Sequence, residues 1–136
     1  HTFNKIKETG EMGLFKSYRP DYADGQQLRD FVYVKDICKV VKFMIEHPDV
    51  NGLFNLGTGT ARSFYDLAKA TFDALGLEPN IKFVEMPETL RKKYQYYTQA
   101  NMEKLRAAGY HEAFYTLEAG CKDYVTNYLA QDYKTY

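Results

Sequence analysis

Short β-rich runs alternate with amphipathic helical stretches between Phe31 and Val84, and this alternation constrains the fold more than any other feature of the chain. Phe31-Val32-Tyr33-Val34 reads as a strand. A helix follows, with Asp36 as its cap and apolar Ile37, Val40, Val41, Met44 and Ile45, closed by Pro48. Gly52 to Leu56 reads as a second strand. Ser63 to Leu75 reads as a second helix, with Ser63 and Asp66 as a capping box and Gly76 as its stop. Ile81 to Val84 is a third strand that ends before Pro87. Asn101 caps a short helix ending at Gly109, and Thr116 caps a last one with Leu117, Cys121, Tyr124, Val125 and Tyr128 on one face. Strands followed by helices in this order predict an α/β fold. Residues 14–30 read as a polar loop holding Tyr18, Pro20, Asp21, Tyr22, Asp24 and Gly25. His1 to Lys7 read as the end of a helix, with Phe3 and Ile6 three apart and Gly10 and Gly13 stopping it. There is no initiator Met, and the helix is already under way at residue 1. The chain is therefore expected to be a piece of something longer, with further functional residues upstream.

Composition narrows the class. The 136 residues suit one domain or part of a larger one, and 45% hydrophobic content with 13 Tyr and 9 Phe is enough for a core, which excludes disorder as the main state. Eighteen basic residues balance eighteen acidic ones, which argues against a nucleic-acid partner; Arg91-Lys92-Lys93 is read as a solvated face. No apolar run is long enough to span a membrane, and no targeting segment is evident, so a cytoplasmic location is expected. Cys38 and Cys121 make neither a disulfide framework nor a metal site, and both are expected to be buried thiols. His47 sits at a helix end, where the dipole accounts for it. His111 has no ligand partners at useful spacing, so no metal is expected.

Two motifs imitate chemistry. Gly57-Thr58-Gly59 lies between a strand and a helix, the setting of a dinucleotide-binding turn, and Glu85 lies near the end of the next strand. Arg62 stands where a third glycine would be needed for close helix packing, so the turn is read as structural, together with Asn55, Thr58 and Arg62 around it. Tyr65 and Lys69 have the spacing of a proton-exchanging Tyr–Lys pair. Helical angles put Phe64, Leu67, Ala68, Phe72 and Leu75 on one face and leave Tyr65 and Lys69 on its polar flank, so they are read as solvated surface.

Arg29-Asp30-Phe31-Val32-Tyr33-Val34-Lys35-Asp36 resembles the arginine-plus-strand segment in the second half of extended short-chain dehydrogenase/reductases that modify nucleotide-linked sugars. Gly52-Leu53-Phe54-Asn55-Leu56-Gly57-Thr58-Gly59, Arg106-Ala107-Ala108-Gly109-Tyr110 and Leu117-Glu118-Ala119-Gly120 follow in that family's order. The resemblance spans essentially all 136 residues. Within the family, Tyr94-Gln95-Tyr96-Tyr97-Thr98-Gln99-Ala100, Leu14-Phe15-Lys16-Ser17 and the stretch from Leu105 to Tyr110 are similar to the branch that epimerises ADP-heptose at C6 for lipopolysaccharide core supply.

The resemblance implies a fold: residues 1–136 as the C-terminal substrate-binding portion of an NAD(P)-binding Rossmann-type protein. The N-terminal nucleotide domain, with the NADP turn and the catalytic Tyr and Lys, would lie upstream of His1. It implies an isomerase as part of a full-length homo-oligomer, and no turnover by the 136 residues alone. It also implies site residues. Arg29 would fork onto a nucleotide diphosphate, with an ion pair to Asp30 or Asp36 as the structural alternative. Tyr94 would lie against the ADP-sugar, with Arg91, Lys92 and Lys93 favouring an anion. Phe15, Lys16, Ser17 and Tyr18 would line the nucleotide, and His1 would touch substrate. The loop from Tyr18 to Arg29, with Asp21 and Asp24, is longer than the family pattern. The alternatives are another nucleotide-sugar epimerase, dehydratase or reductase, or a non-catalytic module binding nucleotides or a partner protein.

Overall fold

A computed structural model describes residues 1–132. Helix α1 (Thr2–Thr9) ends at Gly10 in the left-handed conformation, and Phe3 and Ile6 are its buried face. Strand β1 (Met12–Phe15) and strand β2 (Leu28–Arg29) come next, then helix α2 (Val34–Glu46), strand β3 (Arg62–Ser63) and helix α3 (Phe64–Leu75). Strand β4 (Ile81–Val84), short helices α4 (Glu88–Arg91) and α5 (Glu103–Ala107), helix α6 (Leu117–Asn127) and a 3-10 turn (Leu129–Gln131) complete the order.

β1 and β4 pair in parallel, with Met12 opposite Ile81 and Phe15 opposite Val84, while β2 and β3 pair antiparallel. One apolar cluster joins α1, β1 and α3 through Ile6, Met12, Leu14, Ala68 and Phe72. A second forms around Val40, Met102, Leu105 and Tyr110, with Phe54, Leu56 and Phe114 packed against it. Asp123 ties α6 to α2: its carboxylate accepts from Tyr33 Oη at 2.5 Å and from Lys35 Nζ at 2.6 Å. Those two partners pull its pKa down to about 2.

The helices that carry their own caps stand where the sequence puts them. Ser63 Oγ accepts from Asp66 N at 3.0 Å, and the Asp66 carboxylate accepts from Ser63 N at 3.2 Å. Thr116 Oγ1 caps α6 by accepting from Ala119 N. Asp36 is a correction. Tyr33 holds the cap position of α2, and Asp36 is a fully buried carboxylate in the first turn, accepting from Tyr115 N at 2.8 Å and Lys39 Nζ at 3.1 Å.

Strands differ more. The expected loop 14–30 is shorter, because β1 runs through Phe15 and β2 begins at Leu28. The strand expected at 31–34 sits earlier, at β2. Leu28 donates its N–H to Tyr96 O and accepts from Thr98 N, and those partners decide where the extended segment pairs. Residues 52–56 form no ladder among the described residues, and Leu53 is 87% exposed. On α2, Val41 and Ile45 are exposed rather than core, and so is Cys38, which corrects the expectation of a buried thiol. Cys121 is half-buried, and burial pushes its thiol up to about 11.

Tyr110 is buried, and its hydroxyl has no hydrogen-bond partner among the described residues. Removing an orphaned buried hydroxyl releases a desolvation penalty of up to ~1–3 kcal/mol. Tyr110→Phe is therefore expected to unfold at the same or higher temperature than wild type in a calorimetric scan. A clear fall in Tm would mean that the hydroxyl is satisfied.

Candidate substrate site

Ligand sites in parallel α/β sheets lie beyond the carboxyl ends of the strands, and the predicted site residues gather at that end of the β1–β4 pair. Phe15 is the last residue of β1, and Lys16 N donates to the carbonyl of Val84, the last residue of β4, at 2.9 Å. A cavity of about 200 Å³ opens here, walled by His1, Phe15, Gln27, Phe64 and Tyr94. Gln27 is buried, and its Nε2 donates to Phe15 O at 3.1 Å, fixing the end of the strand. The Tyr94 ring meets Phe15 edge-on at 6.2 Å, and burial pushes its phenol pKa up.

Arg29 flanks this cavity. Its guanidinium lies 5.3 Å from the Tyr94 ring centre and 5.6 Å from that of Phe64. It donates to Leu28 O at 2.7 Å and to Gln95 O. The ion pair with Asp30 or Asp36 offered as the structural alternative does not form: Asp36 is committed to Tyr115 and Lys39, and Asp30 to a turn. Among the described residues, Arg29 has no carboxylate partner.

Lys16, Ser17 and Tyr18 lie next to the cavity without walling it. Lys16 Nζ is 2.8 Å from Glu85 Oε1, and Tyr18 Oη donates to the same carboxylate. Ser17 N donates to Asp24 Oδ1 at 2.7 Å, so the long loop folds back on its own start. Gly25 helps it turn: its φ is +72°, and a Cβ there would stand 2.9 Å from the Phe83 ring. Tyr18 N donates to Tyr96 Oη at 2.9 Å, and the Tyr96 ring is 5.6 Å from Tyr94, which joins the two groups of residues. His1, Phe15, Arg29 and Tyr94 thus come together, with Lys16 to Tyr18 one residue layer away. Of the basic run, Arg91 reaches this region, while Lys92 and Lys93 are exposed. Gln27, Phe64, Tyr96 and Glu85 were missed as site neighbours. Only Tyr96, inside the Tyr94–Tyr97 run, carried a signal that pointed here.

The Gly57-Thr58-Gly59 turn does not fit a dinucleotide. Thr58 N and Gly59 N donate to the Asp30 carboxylate at 2.8 and 2.9 Å, and Thr58 Oγ1 donates to it at 2.5 Å. The N–H groups that would hold a pyrophosphate are already used. A Cβ at Gly57 would stand 2.5 Å from Asp30 Oδ2, so glycine there serves the internal carboxylate. Asn55 donates to Asn101 O, and Arg62 pairs with Asp66 and Glu118, so both are structural. Lys69 pairs with Asp73 at 2.7 Å. Tyr65 is half-buried against the first apolar cluster, not on a solvated flank.

The chain is similar to known proteins in sequence and fold. Residues 1–57 match the sequence model of the NAD dependent epimerase/dehydratase family. The ADP-L-glycero-D-manno-heptose-6-epimerase of Fusobacterium nucleatum is 49% identical over 97% of the chain, which covers 42% of that protein. Among solved structures, the ADP-L-glycero-D-manno-heptose-6-epimerase of Helicobacter pylori aligns with a TM-score of 0.69 and 28% identity, over 93% of this chain and 35% of that one. A UDP-N-acetylglucosamine 4-epimerase from Methanobrevibacter ruminantium aligns with a TM-score of 0.74 and 20% identity, over 96% of this chain and 38% of that one; it shares the fold. The chain thus spans about two fifths of the length of the curated relative. Among the described residues, no helix is long and apolar enough to cross a membrane, and no His/Cys/Asp/Glu group has the makings of a metal site.

Burial raises the pKa of Asp30, but hydrogen bonds from Thr58, Ala100 and Gly59 outweigh it and leave the carboxyl below its usual 3.8. Such a group stabilises the fold fully at neutral pH and loses that contribution as pH falls below 3.8 and through the folded value. Asp30→Asn is expected to be less stable at pH 7 and to show a smaller loss of stability between pH 5 and pH 2. Urea unfolding across that range measures both effects.

Proposed function

We propose, starting from a chain with the fold of the NAD dependent epimerase/dehydratase family, that residues 1–136 are the C-terminal, substrate-binding portion of an ADP-L-glycero-D-manno-heptose 6-epimerase. The observation that carries this reading is the Arg29 guanidinium, without a carboxylate partner among the described residues and stacked beside an aromatic-walled cavity. Guanidinium donors fork onto two phosphate oxygens, which suits the diphosphate of an ADP-sugar. Phe15 and Tyr94 supply apolar faces for flat groups, His1 lines the same cavity, and Lys16, Ser17 and Tyr18 take the nucleoside side. These residues bind and orient substrate.

NADP and the proton-transferring Tyr and Lys belong, on this proposal, to a nucleotide domain outside these residues. The glycine turn committed to Asp30 supports that division. So does the exposed apolar surface of Val34, Val41, Ile45 and Leu53, the last in a segment, 52–56, with strand character and no ladder partner among the described residues. Exposed apolar surface marks an interaction site, which on this proposal is the contact with the nucleotide domain. A cytoplasmic homo-oligomer, with neither nucleic acid nor membrane as partner, belongs to the same reading.

Isothermal titration calorimetry tests it directly. ADP is expected to bind the chain, and Arg29→Ala to weaken binding about tenfold or more, since hydrogen bonds to a charged group contribute ~1.5–3 kcal/mol. ADP-sugars are expected to outcompete UDP-, GDP- and dTDP-sugars, and the chain alone to show no turnover of ADP-heptose. Preference for another nucleotide would assign the site to a different nucleotide-sugar epimerase, dehydratase or reductase. Turnover by the 136 residues alone would refute the division into halves.

A further inference from the structure

Three side-chain donors converge on one carboxylate beside the cavity. Glu85 follows β4 directly and accepts from Lys16 Nζ at 2.8 Å and from Tyr18 Oη, with Arg91 Nη2 3.7 Å away. Arg91 is fixed twice: its Nε donates to Met86 O at 2.8 Å, and its guanidinium lies 3.8 Å from the Tyr18 ring centre. An ammonium, a guanidinium and a phenol pointing at one place have the chemistry of a phosphate-binding seat. An internal carboxylate occupies it. Arg29, beside the Tyr94 wall of the cavity, has no such carboxylate among the described residues.

We infer that Lys16, Tyr18 and Arg91 form a second anion seat that Glu85 keeps filled, which makes Glu85 a specificity-determining residue. It sends the charged part of a ligand to Arg29 and leaves the Lys16–Tyr18 side for an uncharged part. A ligand with negative charge at both ends is disfavoured, because its second anion must displace Glu85 or sit next to it. The identity of the ligand rests on the ADP-sugar reading above; the existence of the seat does not.

Glu85 is largely exposed, so replacing it leaves the core untouched. The probe is inorganic pyrophosphate, titrated calorimetrically into wild type, Glu85→Gln and Glu85→Asp, with ADP run in parallel. Removing one negative charge next to a bound pyrophosphate is worth about threefold in affinity at physiological ionic strength and about tenfold at low salt. Glu85→Gln is therefore expected to bind pyrophosphate more tightly by those factors, and Glu85→Asp to behave as wild type. Adding Lys16→Met to Glu85→Gln is expected to abolish the gain. Unchanged or weaker binding by Glu85→Gln overturns the inference, and so does a gain that survives loss of Lys16. If the gain appears but ADP binding does not depend on Arg29, the seat stands and the ADP-sugar reading falls. If ADP binding depends on Arg29 and Glu85→Gln gains nothing, the reading stands and the seat falls.

Discussion

The Asp30 carboxylate holds together segments that are far apart in sequence. Its two oxygens accept from Thr58 N, Thr58 Oγ1, Gly59 N and Ala100 N. One side chain thereby joins the end of β2, the turn before β3 and the stretch leading into α5. Partly buried carboxylates are costly unless their lone pairs are filled, and this one is filled by three backbone N–H groups and one hydroxyl. Gly57 is part of the same arrangement, because any side chain there would collide with the carboxylate. The consequence for the site is indirect but firm. With Asp30 saturated, its neighbour Arg29 has no acid to fold back onto, and its guanidinium is left to backbone carbonyls and aromatic rings.

Those rings decide where Arg29 points. Tyr94 and Phe64 hold the guanidinium between residues from opposite ends of the chain's middle, and Tyr94 is itself set by Phe15 and Tyr96. Tyr96 is buried and passes the order on, since its hydroxyl accepts from Tyr18 N. The aromatic content of the sequence, which read only as core material, is therefore also what aligns the polar groups of the site. A planar cation stacked on rings gives up little further freedom when it meets a ligand, which favours binding.

Helices and site were legible in the sequence to different degrees, for physical reasons. The signals for α3 are local: Ser63, Asp66 and Gly76 lie within or beside the helix they bound, so spacing alone placed it. Strands depend on partners elsewhere. Leu14 and Phe15 read as the start of a loop because the partners of their strand, in Ile81–Val84, lie sixty-nine residues on. Gly52–Leu56 looked like a strand and has no ladder among the described residues, because alternation reports a half-buried face, not a neighbour. Burial on α2 failed in the same way: the helical period identified Val41 and Ile45 as one apolar face, but the surface that would cover that face is not made by the described residues. At the site, the resemblance brought His1, Phe15, Arg29 and Tyr94 to one place. It said nothing of Glu85, whose partner Lys16 is sixty-nine residues earlier.

The turn at Gly57 and the cluster at Glu85 express one principle. Each brings together donors suited to an anion, backbone N–H groups in one case and Lys16, Tyr18 and Arg91 in the other, and each is occupied by a carboxylate of the chain itself. The resemblance of the turn to a cofactor-binding loop is real at the level of backbone chemistry, and it ends at the identity of the anion. Internal pairing of this kind leaves a chain of zero net charge with a sharply uneven distribution of available charge. Arg19, Arg62 and Arg91 each stand against a carboxylate, while among the described residues Arg29 and Arg106 are held by backbone carbonyls and aromatic rings. On the proposal above, a ligand's phosphate is selected as much by the seats the protein has already filled as by the cations it leaves unpaired.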